Sequence, residues 1–305
     1  MKRPDRLKQG DTVAVAAPAG VVDPDVLEKG LNSLKRMGLR PVVADHVCSR
    51  DRYMAGTDEQ RAGDLRALFE DPEIKAIFCA RGGYGANRIL PHLDPAIIRK
   101  NPKIFVGSSD ITLLLLFLVQ QCSLVAFHGP MVAGNFGRYP MSKSKRQFKE
   151  ILSGDRKGKR LTAKSARIFR PGTAEGKVTG GCLTLLCRSL GTPWEIKTRN
   201  RILLIEDVNE PLYRIDGMLW QLKQAGKFKG IRGIVFGEMV NCLPSDHAGG
   251  SFKDILRDVF ADSSFPILTD FPSGHGREMF TLPLGLAARL DAGTKTLDFE
   301  NCGVL

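Results

Sequence analysis

At 305 residues the chain is long enough for one large or two medium-sized domains, each with a full core, and its pattern favours two. No basic leader with an apolar core opens it, and its longest apolar stretch, residues 113–119, falls far short of a bilayer span, so a cytoplasmic protein with no membrane partner is expected. The formal charge of +12 does not indicate nucleic acid: residues 143–177 hold twelve Lys/Arg and three Asp/Glu, which is +9 in one segment, and no RNA-binding or helix-turn-helix pattern accompanies them.

That basic run is expected to be solvated, with attraction of anionic small substrates as the weaker alternative. Seven cysteines make an odd count with no Cys-x-x-Cys, and five histidines are scattered. Neither spacing suits zinc, so no metal and no cofactor are expected, and the cysteines read as small buried hydrophobes in a reducing compartment.

Taken in order, residues 12–17 form a strand that stops at Pro18-Ala19-Gly20. Residues 24–37 carry Leu27, Leu31 and Leu34 at helical spacing, and 39–44 form a second strand. After the loop 46–57, residues 58–69 read as a helix with Leu65, Leu68 and Phe69 inward. A third strand, 74–80, ends at Arg81-Gly82-Gly83-Tyr84-Gly85, and short helices follow at 87–90 and 95–99. Residues 103–106 are then a strand, Gly107-Ser108-Ser109-Asp110 a sharp turn, and 111–119 a helix too apolar to be exposed. Strands alternating with helices at this spacing call for a parallel sheet covered on both faces, which makes residues 1–150 an open α/β domain.

The basic stretch from 143 reads as a helix running into an interdomain linker over 151–175. Beyond it, 178–181 form a glycine-rich turn into a helix at 183–190, and 201–205 a strand ending in Glu206-Asp207. Residues 213–224 are helical, 233–237 a strand, 252–260 a helix and 266–271 a strand. A hairpin of 287–291 with 296–299 closes the chain. These smaller, mixed elements predict a smaller α+β domain over 176–305.

Acyl transfer needs a nucleophile, a base, a group that orients the base and donors aimed at the oxyanion. Ser109 stands at a strand-to-helix turn, where the N–H groups of Asp110 and Ile111 are placed to stabilise a developing oxyanion. Ser108 competes with it, and a Gly-Ser helix cap without chemistry is the alternative. His275, flanked by glycines in Pro272-Ser273-Gly274-His275-Gly276, is the candidate base, or a plain surface histidine. Glu206 at a strand end is the candidate orienting acid; Asp207 and Glu210 compete, and an ion pair with Arg214 would occupy it otherwise. The Gly82-Gly83 backbone can approach a ligand closely, as oxyanion donor or as phosphate cradle, although it lacks the spacing of either nucleotide fingerprint. Ile111 stands where an α/β-hydrolase elbow has its second glycine, which excludes that elbow.

With these residues set out, the chain resembles the L,D-carboxypeptidases of murein recycling, a family that includes the microcin immunity peptidases. The matching stretches are Ala55-Gly-Thr-Asp-Glu-Gln-Arg-Ala-Gly-Asp-Leu65, Ala80-Arg-Gly-Gly-Tyr-Gly-Ala86, Gly107-Ser-Ser-Asp-Ile-Thr112 and Phe127-His-Gly-Pro-Met131. Leu203-Leu-Ile-Glu-Asp-Val208 with Tyr213-Arg-Ile-Asp216, and Gly274-His275 with Leu282-Pro-Leu-Gly285, complete a series in family order over nearly the full length.

The resemblance implies a metal-independent serine peptidase with a flavodoxin-like N-terminal domain, a smaller C-terminal domain and, commonly, a homodimer. Carried over by position it implies Ser109 as nucleophile rather than Ser108, Glu206 as acid rather than Glu210, His275 as base, and backbone donors at Asp110, Gly82 and Gly83. Arg81, Tyr84 and Ser108 are candidate substrate contacts. Ser108 replaces the usual aromatic residue and Cys182 the common asparagine of a Gly-Gly-x-Leu turn, two departures that bear on substrate preference. The expected reaction is removal of a terminal D-Ala from a cytoplasmic murein tetrapeptide. An immunity-type peptidase acting on peptidyl- or aminoacyl-nucleotides is the first alternative, and a non-catalytic ligand-binding protein of the same fold the second.

Overall fold

The computed structural model describes residues 1–244 and 250–305. The chain divides into two compact units, the first formed by Met1–Lys159, Arg277–Leu286 and Asn301–Leu305, the second by Arg160–Gly276 and Ala287–Glu300.

Strands are numbered in chain order among the described residues. The first unit contains β1 (Thr12–Ala16), β2 (Arg40–Val43), β3 (Ala76–Cys79), β4 (Ile104–Gly107), β5 (Ala126–His128) and the late β12 (Leu282–Leu284). They form one sheet in the order β12-β5-β4-β3-β1-β2, parallel throughout except for β12, which runs antiparallel on β5. Without β12 this is the 2-1-3-4-5 order of flavodoxin-like folds, in which the chain reverses direction across the sheet between the first and third strands. Such a sheet needs apolar strands and cover on both faces. β3 and β4 are buried at every position, and the helix after β4, Thr112–Gln120, buries eight consecutive residues from Thr112 to Val119.

The helices begin where the chain supplies caps. Asp23 accepts from Asp25 and Val26 N–H ahead of Pro24–Arg36, and Thr57 with Gln60 closes a capping box at the start of Asp58–Glu70. Besides β12, two elements of this unit were not foreseen. β5 is only three residues long, and Val132–Phe136 forms a π-helical turn whose Ala133 and Gly134 N–H groups donate to Ala80 O at 2.8 and 2.9 Å. That turn anchors the end of β3 immediately before Arg81.

The second unit is built on an eight-stranded mixed sheet of β6 (Arg160–Thr162), β7 (Arg167–Arg170), β8 (Thr173–Cys182), β9 (Arg201–Val208), β10 (Gly233–Val240), β11 (Ile267–Thr269), β13 (Ala287–Asp291) and β14 (Thr296–Phe299). Their order is β6-β14-β13-β8-β9-β10-β11-β7. The four strands β8 to β11 are parallel, and the remaining pairings are antiparallel.

Two expectations are corrected here. Residues 151–175 are not a linker: they finish the helix Ser142–Leu152 and then supply β6 and β7, the two outermost strands of the sheet. The glycine-rich run 178–181 is not a turn but the end of the ten-residue β8. Gly180 (φ +125°) lies so close to β9 that any Cβ would strike the Leu204 carbonyl, which is why glycine occurs inside a strand. No helix among the described residues is long and apolar enough to cross a membrane.

Candidate active site

Ser109 occupies the bend between β4 and the buried helix Thr112–Gln120, and its backbone is left-handed at φ 60°, an unusual state for a serine. The preceding Gly107 lets this bend close: a Cβ there would lie 2.6 Å from Ile111 Cγ2 and 3.2 Å from Cys79 Sγ. Ser108 is extended and buried, whereas Ser109 is half-exposed.

Gly82 lies directly against Ser109. A Cβ on Gly82 would sit 2.8 Å from Ser109 Oγ and 3.2 Å from Asp110 N, so only glycine allows this approach. Among the described residues the N–H groups of Gly82 and Gly83 make no hydrogen bond, while Gly82 O accepts from Gly20 N–H at 3.1 Å. The Ile111 N–H, expected as a donor, is instead bonded to Ser108 O at 3.1 Å and is withdrawn from that role. The Asp110 side chain is also engaged, accepting from Ala86 N–H at 2.8 Å. It ties the Ser109 bend to the glycine turn.

Arg81 donates from Nη1 to Val21 O at 3.0 Å. Tyr84 meets Tyr53 edge to face, with ring centroids 5.5 Å apart. Beneath these loops lies a residue the sequence reading passed over. Arg61 is 1 % exposed and donates from Nη1 to Pro18 O (2.7 Å) and Gly85 O (2.8 Å), and from Nε to Gly56 O (3.2 Å). It also pairs with Asp58, which in turn takes two bonds from Arg88 at 2.9 and 2.7 Å and is held below the usual carboxylate range by that contact. The signal was available, since an arginine within an otherwise core-facing stretch of helix must find acceptors.

In the second unit, Glu206 and His275 are brought together: His275 Nδ1 lies 2.6 Å from Glu206 Oε2. Glu206 is fully buried at the end of β9, and the imidazole is about one-fifth exposed. Two glycines make room for this carboxylate. A Cβ at Gly274 (φ +126°) would fall 2.6 Å from Glu206 Oε2, and one at Gly237 would fall 2.9 Å from Glu206 Cβ. Burial pulls the His275 pKa down, but the charge and hydrogen bond of Glu206, with a further pull from Asp207, raise it above its ordinary value.

The competing acids have other partners. Asp207 accepts from Thr184 N–H (2.9 Å) and Oγ1–H (2.8 Å) and from its neighbour Val208 N–H (2.8 Å), and the Cys182 thiol points to it at 3.6 Å. Burial raises the Asp207 pKa. Glu210, not Glu206, pairs with Arg214, at 3.5 Å. A further carboxylate that the sequence did not single out, Glu238 near the end of β10, packs against Gly276, next to His275. Its pKa is raised by burial and by the negative charges of Asp270 and Glu206. Among the described residues no cluster of His, Cys, Asp and Glu is arranged to hold a metal ion.

The chain matches known proteins along its length. Residues 13–129 match the family described as LD-carboxypeptidase N-terminal domain, and residues 175–290 that described as LD-carboxypeptidase C-terminal domain. A probable murein peptide carboxypeptidase of Bacillus subtilis is 38% identical over 98% of this chain and 94% of its own. A murein tetrapeptide carboxypeptidase of Pseudomonas aeruginosa is 34% identical, over 92% of each. Among solved structures, the microcin C7 self immunity protein MccF in complex with aspartyl sulfamoyl adenosine superposes with a TM-score of 0.90 at 25% identity, covering 98% of each chain.

Proposed function

The chain belongs to the LD-carboxypeptidase family, and on that premise we propose that this serine-type hydrolase removes terminal D-Ala from the L,D-peptide bond of a murein tetrapeptide. The observation that carries the reading is the 2.6 Å contact between His275 Nδ1 and the buried Glu206 carboxylate. A carboxylate so placed fixes the tautomer that leaves Nε2 free to accept a proton, and it stabilises the imidazolium that results.

In the proposed reaction His275 Nε2 takes the Ser109 hydroxyl proton as Oγ attacks the scissile carbonyl. The N–H groups of Asp110 and of the Gly82-Gly83 turn receive the oxyanion. The C–N bond then breaks, the leaving amine takes the proton from His275, and water, activated by the same imidazole, hydrolyses the Ser109 ester. Arg81 is proposed to bind the terminal carboxylate, the feature that marks a substrate for an exopeptidase. Tyr84 and Ser108 are proposed to contact the substrate nearby, and the active form is proposed to be a cytoplasmic homodimer.

Mass spectrometry of murein tetrapeptide incubated with the protein is expected to record loss of one alanine. Ser109→Ala and His275→Ala are each expected to lower kcat/KM on the order of 10⁴-fold, while Ser108→Ala keeps most activity. Equal losses at the two serines would reject Ser109 as nucleophile. The likeness to the microcin C7 immunity structure favours a second reading, cleavage of an aminoacyl- or peptidyl-nucleotide. A panel holding both substrate types separates the two by which is turned over.

A further inference from the structure

A cavity of about 590 Å³ opens in the first unit, lined by Arg50, Arg52, Tyr53, Arg81, Gly83 and Tyr84 together with the loop after β1. Its position follows from the topology. The loops after β1, β2 and β3 meet where the strand order reverses, the crevice in which open α/β sheets bind ligands. Its size falls within the roughly 300–1,000 Å³ of small-molecule sites and exceeds what one leaving alanine needs. It begins one residue from the candidate nucleophile, because Gly82, which touches Ser109, sits between the lining residues Arg81 and Gly83.

Three arginines and no acidic residue line it. Arg50 donates from Nε to Arg52 O at 3.3 Å, and Arg52 reaches Asp51 at 3.3 Å with its guanidinium 5.8 Å from the centre of the Tyr53 ring. Among the described residues neither Arg50 nor Arg81 has an ion-pair partner, so the concave site keeps a net positive charge although Asp51 offsets that of Arg52. The Tyr53–Tyr84 contact joins the two loops that carry these arginines. A planar guanidinium fork matches a carboxylate in shape and charge. A phosphate site would draw on backbone N–H groups at a helix start, but here the Ala86 N–H is taken by the Asp110 carboxylate, whose charge opposes a dianion.

Resting on the peptidase reading above, we propose that Arg50 and Arg52 form a second anionic subsite. There they bind a carboxylate upstream of the scissile bond, apart from the terminal one assigned to Arg81. The enzyme then selects peptides that carry several carboxylates over their amidated counterparts.

The test is titration calorimetry with Ser109→Ala protein, which keeps the peptide intact. Two tetrapeptides with the same terminal L,D-bond are compared, one with its upstream carboxylates free and one with them amidated. The free acid is expected to bind about tenfold tighter or more. Adding Arg50→Ala and Arg52→Ala should remove that preference by weakening the acid alone. Both residues are exposed loop positions, so the fold is not at stake. Equal affinities for acid and amide, or an unchanged preference in the double variant, would overturn the subsite. Tighter binding of a nucleoside monophosphate than of the acid peptide, lost in the same variant, would overturn its assignment to carboxylates. A carboxylate preference with no hydrolysis of either peptide by the unmodified protein would reject the peptidase reading and leave the subsite standing.

Discussion

His275 feels opposing pulls on its proton, and their balance makes its titration a readout of the pair it forms. Burial favours the neutral ring, while the Glu206 carboxylate at 2.6 Å and, more distantly, Asp207 favour the imidazolium, with the net pKa raised above 6.5. The general base proposed for His275 works only when neutral, so under that proposal kcat/KM on a murein tetrapeptide should fall on the acid side with a midpoint above that ordinary value. Glu206→Gln removes both of the contributions that Glu206 makes to the raised value and leaves burial in place. The midpoint should then move to lower pH, and the plateau should drop on the order of 10³-fold as the tautomer is lost. An unmoved midpoint in that variant would deny the pair its role. The sign for stability is the reverse of that for activity. A histidine whose folded pKa is raised stabilises the fold fully below about 6.5 and loses that contribution as pH climbs through the folded value. His275→Ala should therefore cost more stability in mildly acidic buffer than in alkaline buffer.

At the scale of elements, the helix Asp58–Glu70 acts through one side chain. Arg61 gathers carbonyls from the loop after β1, the loop before its own helix and the glycine turn after β3, a set no other described side chain spans. Arg61→Met fills similar space but strands three carbonyls, and urea unfolding should show a loss of about 3–5 kcal/mol. Arg61→Lys should recover little, because one ammonium cannot reach three separated acceptors. A loss under about 1 kcal/mol would mean the loops hold themselves. The same element shows what was legible beforehand. Its apolar spacing and its cap residues stand in the sequence, as do the strand, bend and buried helix around Ser109. Glycine misled the reading of β8, because a positive-φ residue pressed against Leu204 O looks like a turn when its neighbour is unseen. Charge misled the reading of β6 and β7. Their arginines (160, 167 and 170), next to Lys159 and Lys164, resemble a linker, yet edge strands carry such charges to discourage pairing with other chains. Within the candidate site, the strand-end carboxylate and the glycine-flanked histidine stand out in the sequence, and the structure brings them to 2.6 Å of one another. The left-handed Ser109 backbone and the loss of the Ile111 N–H were not legible there, because both arise from how the bend closes.

For the molecule as a whole, the chain leaves its first unit at Lys159 and returns to it over Arg277–Leu286, two residues after His275. That return supplies β12 to the edge of the parallel sheet and is gripped by the helix Ser142–Leu152. Gln147 donates from Nε2 to Thr281 O at 3.0 Å and accepts from Thr281 N–H at 2.8 Å, a reciprocal pair that satisfies both backbone groups of a fully buried residue. Ser144 adds bonds to Glu278 Oε2 from N–H (2.9 Å) and hydroxyl (2.5 Å), and its oxygen accepts from Met279 N–H at 2.7 Å. The first sheet therefore depends on residues that lie more than a hundred positions beyond its fifth strand, and closing that loop costs entropy which these contacts must offset. Gln147→Leu keeps the volume but leaves the Thr281 N–H and C=O buried without partners, at about 1–3 kcal/mol each. Thermal unfolding of this variant should show a clear fall in Tm, larger than that of Ser144→Ala, whose loss leaves the Glu278 carboxylate its backbone donor. If Gln147→Leu melts within a degree of the unchanged protein, the return segment is held by β12 pairing alone, and the side-chain grip is a consequence of docking rather than its cause.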